Sequence, residues 1–235
     1  MEMDINTIEA RKNRLGIVPV DLDVMAREGL EKLHVFNPFR RLEVLHDYEY
    51  TCCGLCIRCH KYRIYDQQRQ LQLTAIQDIQ RFGSSDYTMG SKPPIVVTYL
   101  SQPILIIHFG APKLFDFVSS CVAVTLPSEV LLGSITREEK TERNVLGEST
   151  TKLRIFDPNG QLSIETEQSG YTATGDNQHI VMMKESEIGR IGSTRGKSTL
   201  LFSNDLTFEV KALMLASAVW MEILERKKPR WRQNK

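Results

Sequence analysis

Four of the five cysteines fall within eight residues, Cys52, Cys53, Cys56 and Cys59, and His60 follows at once. Thiols and imidazoles packed this closely can hold a soft metal or accept a covalent group, and the spacings weigh those options. Cys53-x-x-Cys56-x-x-Cys59 has the spacing of an iron–sulfur run but lacks the fourth cysteine followed by proline. Cys56-Ile57-Arg58-Cys59-His60 matches the haem-attachment pattern, a chemistry of exported proteins. The first residues, Met1-Glu2-Met3-Asp4, lead into polar sequence with no apolar export signal. A zinc ion held by these thiolates with His60 or His46 stays open, as does a set of free thiols without a role. The favoured reading is S-acylation, because clustered cytosolic cysteines beside apolar surface are typical acceptors. Four cysteines placed this tightly do not staple a fold, and a cytosolic, reduced protein is expected.

Two further stretches invite a chemical reading. Gly192-Ser193-Thr194-Arg195-Gly196-Lys197-Ser198 resembles a phosphate loop but is one residue short, and a β-type run follows it where a helix is needed. It is therefore not read as a nucleotide site. The tail Arg226-Lys227-Lys228-Pro229-Arg230-Trp231-Arg232 is basic with one aromatic, and suits either anionic lipid or a solvated helix end. The net charge of +1 gives no general attraction to nucleic acid, which is not expected as a partner. No Ser/His/Asp set or paired carboxylates stand out, so enzymatic bond chemistry is not expected.

The elements that must position these residues begin with one apolar stretch, Leu206 to Leu224. Asn204 and Asp205 supply an N-cap, the basic residues from Arg226 suit the helix C-terminus, and Pro229 ends it. Its charge-free window, Ala212 to Met221, is ten residues, roughly 15 Å of helix. A bilayer core needs about 20 residues, so a helix buried in protein is expected.

Upstream, residues 1 to about 30 read as a loose arm, with a short helix possible from Val24 to Leu33. Twelve β-type runs follow: 42–48, 60–66, 70–77, 95–100, 103–109, 117–125, 130–137, 152–157, 161–167, 178–184, 187–193 and 198–202. Gly83 to Pro94, Glu138 to Thr150 and Ser169 to Asn177 are polar and read as surface loops. Lys61-Tyr62-Arg63-Ile64-Tyr65-Asp66 with Gln70-Leu71 is repeated as Lys152-Leu153-Arg154-Ile155-Phe156-Asp157 with Gln161-Leu162. Glu129-Val130-Leu131-Leu132-Gly133-Ser134-Ile135 is echoed by Glu187-Ile188-Gly189-Arg190-Ile191. A repeated meander followed by one apolar helix points to a mainly β fold, a closed antiparallel barrel around a central helix. The organisation expected is an arm over 1–30, a barrel over 31–228 with its helix at 205–226, and a basic tail over 229–235.

These residues carry a resemblance. Leu42-Glu43-Val44-Leu45, Lys61-Tyr62-x-Ile64, Gly133-Ser134-Ile135, Ile188-Gly189-Arg190-Ile191 and Phe208-Glu209-Val210-Lys211-Ala212-Leu213-Met214, in order over roughly 28 to 226, resemble a divergent phospholipid scramblase. The resemblance implies a tubby-like, twelve-stranded barrel around a C-terminal hydrophobic helix. It also implies ATP-independent movement of phospholipids between leaflets, under calcium control, by a palmitoylated protein at the cytoplasmic face of the plasma membrane. Two features depart from that pattern. The family's acidic calcium loop corresponds to Ser193 to Phe202, which has no carboxylate, Asp205 being the nearest. The family's cysteine-rich segment corresponds to Leu114 to Val122, where only Cys121 remains. The lipidation candidates are therefore Cys52, Cys53, Cys56, Cys59 and Cys121. The membrane-contact candidates are Arg226, Lys227, Lys228, Arg230, Trp231 and Arg232. A non-catalytic membrane-binding or protein-interaction adaptor on the same fold is the alternative.

Overall fold

Alternation of apolar and polar residues is what lets a sheet close on itself, and here it does so completely. The computed structural model describes residues 27, 29–50, 57–78, 93–110, 121–141, 149–171, 177–194 and 196–226. Residues 29–32 are helical and run into a 3-10 turn, Leu33–Phe36. Twelve strands follow: β1 (Arg41–Tyr50), β2 (Ile57–Tyr65), β3 (Leu71–Asp78), β4 (Ile95–Tyr99), β5 (Gln102–Phe109), β6 (Cys121–Thr125), β7 (Leu131–Thr141), β8 (Ser149–Phe156), β9 (Leu162–Tyr171), β10 (Asn177–Met183), β11 (Ser186–Thr194) and β12 (Lys197–Phe202). The chain ends in helix α1 (Phe208–Arg226). Each strand pairs with its sequence neighbour, and β1 pairs antiparallel with β12 to close the barrel.

Every strand contributes an inward apolar side chain, from Leu42 and Val44 on β1 to Leu200 and Phe202 on β12. Helix α1 fills the space they enclose. Residues 211–222 of the helix are all buried, and it packs against β7, β11, β12 and the 3-10 turn. A barrel this wide needs such a filler, because voids in an apolar interior forfeit contacts that nothing replaces. The seam is reinforced by Glu43, whose carboxylate lies 3.2 Å from Lys197 of β12 and also pairs with Arg41. Burial pulls the Glu43 carboxyl upward, but Lys197 and Arg41 outweigh it and hold it below the usual carboxylate range.

The sequence repeat has a structural meaning. Asp66 Oδ1 accepts the backbone N–H groups of Gln68 and Gln70, and Asp157 Oδ1 accepts those of Asn159 and Gln161. Both hairpins then add a bulge where the next strand begins. They lie six strands apart, as do the two-residue turns Leu100-Ser101 and Lys184-Glu185, both at positive φ. The barrel is thus two similar six-stranded halves, β1–β6 and β7–β12. The second echo marks a shared contact with the helix: Gly133 and Gly189 each follow a bulged, inward-turned residue, Leu132 and Ile188. A Cβ at Gly133 would meet Leu213 at 3.2 Å, and one at Gly189 would meet Met214 at 2.8 Å.

The left-handed position of the first hairpin is Arg69 (φ 60°), where its repeat has Gly160 (φ 77°). A side chain in that conformation costs about 1–2 kcal/mol, partly offset by the chain entropy a glycine loses on folding. Arg69→Gly is expected to raise stability by about 0.5–1 kcal/mol, and Gly160→Arg to lower it, both read by thermal melting.

Several boundaries differ from expectation. Helix α1 opens after Thr207, whose carbonyl accepts the Lys211 N–H at 3.1 Å, and not at 205. Asn204 and Asp205 form the turn before it, so they are not its N-cap. The strands β7, β8 and β9 run into segments expected as loops, pairing as far as Thr141 with Ser149 and Tyr171 with Asn177. Strand β6 begins at Cys121, and 117–120 lie outside the described residues. The same holds for 83–92, most of the first expected loop.

Candidate functional site at the loop end of the barrel

An antiparallel barrel has two unlike ends. At one, the tight turns join β2 to β3, β4 to β5, β6 to β7, β8 to β9 and β10 to β11. At the other, connections 51–56, 79–94, 110–120, 142–148, 172–176 and 195–196 join the remaining strand pairs. Helix α1 enters at the turn end and leaves at the loop end, and two buried charges fix its depth.

Lys211 marks the entry. It is 1% exposed, and its Nζ donates to the carbonyls of Phe36, Asn37 and Phe39 at 3.2, 2.9 and 3.0 Å. All three ammonium donors are thus satisfied at the C-terminal, negative end of the preceding helical turn. Burial, assisted by Arg40, pushes the Lys211 amine below its usual value.

Glu222 marks the exit. It is 0% exposed and accepts the Gly196 N–H at 2.8 Å and the Ser198 hydroxyl at 3.4 Å. The phosphate-loop-like stretch therefore already cradles an anion, the carboxylate of its own helix. Lys197, between Gly196 and Ser198, turns its ammonium to Glu43 at 3.2 Å. Among the described residues no three His, Cys, Asp or Glu side chains group as metal ligands.

Of the residues singled out in the sequence, Cys59, Cys121 and Arg226 belong to described elements. Cys52, Cys53 and Cys56 belong to the 51–56 connection and lie outside the described residues. Cys59 is the third residue of β2, and Cys121 opens β6, both at strand ends facing the loops. Cys121 is half-buried, and burial raises its thiol pKa, which makes it a poor nucleophile at neutral pH. Arg226 closes helix α1 at the same end. Lys227, Lys228, Arg230, Trp231 and Arg232 lie outside the described residues.

Sequence reasoning gave the two buried charges of the helix no partners. Lys211 and Glu222 were visible as charges interrupting an apolar helix, but their partners come from distant segments. His46 and His60, each named in the sequence as an alternative zinc ligand beside the cysteines, stand on β1 and β2 with Nε2 and Nδ1 3.0 Å apart.

No protein-family model matches this sequence, and no curated protein matches it. No helix among the described residues is long and apolar enough to cross a membrane.

Proposed function

We propose that this protein is a membrane-associated barrel that moves phospholipids between leaflets without ATP, held at the cytoplasmic face of the plasma membrane by its loop end. The observation that carries the reading is convergence. The connection that carries Cys52, Cys53 and Cys56 leaves β1 and enters β2 at the end of the barrel where helix α1 closes at Arg226, and these cysteines and the basic residues that follow Arg226 in sequence are the candidates for acylation and lipid contact. Acyl chains and basic residues act on the same bilayer only when they share a face, and together they meet the two-signal requirement for stable attachment. The scramblase resemblance supplies the activity. Bond chemistry plays no part in it, and it is expected to run without calcium, because Ser193 to Phe202 carry no carboxylate of their own.

A second reading is favoured by one specific observation. The helix that would have to meet lipid is buried on every side. A barrel closed in this way suits an adaptor that holds a headgroup or a partner protein without moving lipid.

Fluorescent-lipid exchange in vesicles carrying the acylated protein separates the two. Scrambling activity is expected to expose inner-leaflet label to a membrane-impermeant quencher, at the same rate with calcium or with chelator. Vesicle binding without exchange would establish the adaptor. Exchange that starts only on adding calcium would overturn the calcium-independent part.

A further inference from the structure

The two halves of the barrel share a fold but not an outer surface. On the outside of the first half, Ile76, Val96, Ile106, Thr125 and Leu131 stand opposite one another in register, one on each strand from β3 to β7. Six strands on, the corresponding row is Glu167, Ile180, Arg190, Leu201 and Arg41, from β9 through β12 to β1. Ile76 and Glu167 each lie five residues past the leucine of the repeated Gln-Leu pair. The second row has a charge at every other position, and the first has none. The same barrel thus accepts Glu167 where it has Ile76, and Arg190 where it has Ile106, so folding does not demand an uncharged row. The residues beside the row keep to the same pattern. Thr74, Thr98, Ala123 and Ser134 also point outward, and among the described outward side chains of β3 to β6 none is Lys, Arg, Asp or Glu.

Loss of charge from one stretch of wall is the mark of a contact surface, and the shape of the wall limits what it meets. The closed barrel has no free strand edge, so an extended peptide cannot add to it through backbone hydrogen bonds. Its outer wall is convex and gives an amphipathic helix no groove. A bilayer contact calls for aromatic or basic anchors at the headgroup level, and the row and its neighbours have none. Two polar groups of the face are instead satisfied within it. The Thr98 hydroxyl donates to the Thr74 carbonyl at 3.1 Å, and Thr125 Oγ1 lies 3.0 Å from His108 Nε2. Water can leave these groups without orphaning them. Small, β-branched side chains of this kind pack against another sheet, at about 10 Å. Charge then selects the sheet. Across a two-fold axis a face meets itself, so each charge near the axis meets its like. The row through Val96 and Ile106 can lie on such an axis without repulsion, and the row through Arg190 and Arg41 cannot.

We propose that a second copy of this chain covers the outer face of β3 to β7, in a two-fold dimer centred on Val96 and Ile106. Neighbouring strands lie about 4.8 Å apart, so the face is about 19 Å wide. A patch of that width gives each partner roughly 400 Å², half of the about 800 Å² of a stable complex. The dimer is therefore reversible and forms above about 1 μM. It is independent of the membrane reading, since every group it uses lies on the barrel wall.

Sedimentation equilibrium of the full-length, unacylated protein, from about 1 μM to about 1 mM, tests the proposal. The wild type is expected to pass from monomer to dimer as concentration rises and to go no further, since a two-fold contact closes on itself. Ile76→Glu and Ile106→Arg introduce the residues that the corresponding row already carries, so the fold accommodates them, and thermal melting checks this. Each should raise the dissociation constant at least about tenfold, because the new charge meets its like across the axis. Glu167→Lys, on the corresponding row, should dimerise as the wild type does. A wild type that stays monomeric throughout, or assembly unchanged in both charged variants, overturns the proposal. So does a monomer that pellets with phosphatidylcholine vesicles and ceases to do so in Ile106→Arg, which would give the face to lipid.

Discussion

Leu215→Asp is expected to leave no folded protein. Leu215 lies midway along helix α1, is 0% exposed, and is enclosed by side chains from the barrel wall. An aspartate there would have either to ionise without a partner or to be protonated in an apolar site, and would also lose the packing of the leucine. Several kcal/mol is lost either way, against a total stability of about 5–15 kcal/mol. The two charges that the helix does bury show what tolerance requires. Lys211 has three carbonyl acceptors, and Glu222 has a backbone N–H and a hydroxyl. Leu215 has an apolar neighbourhood instead. Leu201→Asp is the control, on the outer face of β12 at 42% exposure, and should change stability by no more than about 0.5 kcal/mol. Soluble yield and thermal melting read both. A soluble Leu215→Asp variant that melts normally would mean that the helix is not held inside the barrel.

The same contrast shows which parts of this molecule were legible in its sequence. All twelve strands were, because they are short β-type runs and turn chemistry separates many of them. Their ends were less so. Strands β7 and β8 pair through Glu139, Lys140 and Thr141, beyond the apolar alternation, and polar residues give strand pairing no signal. The helix was legible as a buried element, since no face of it is polar, yet its start was placed too early. Asn204 and Asp205 look like caps, but the backbone is still turning from β12 there, and Asn204 offers its carbonyl to Arg40 at 2.8 Å. The partners of Lys211 lie more than 170 residues away. The His46–His60 contact depends on register across a hairpin, which no local pattern encodes. What composition and periodicity could not supply was always of this kind: a pairing between segments that only closure of the barrel brings together.

Closure also sharpens what is expected of the cysteines. Under the proposed membrane role a helix enclosed by protein does not supply the anchor, and the candidates are Cys52, Cys53, Cys56 and Cys59 together with the basic tail from Arg226 to Lys235. A single acyl chain gives only marginal, reversible binding, whereas two or more, or one with a basic patch, give stable anchoring. Changing all four cysteines to serine is therefore expected to move most of the protein from the membrane fraction to the cytosol. Cys121 should not compensate, because its half-buried thiol is held in the protonated form. Neutralising Arg226, Lys227, Lys228, Arg230 and Arg232 removes about 1 kcal/mol per residue near an anionic surface, an effect that salt should mimic. That second variant should weaken attachment by a smaller, salt-sensitive amount. Hydroxylamine, which strips thioesters, should release the wild type as the serine changes do. Thermal melting of the four-serine protein beside the wild type separates lost anchoring from lost folding. If the four-serine protein stays in the membrane pellet through high salt and alkaline washing, acylation is not the anchor. Helix α1 would then have to leave the barrel to reach lipid, and Lys211 and Glu222 would have to give up the partners that now hold it in place.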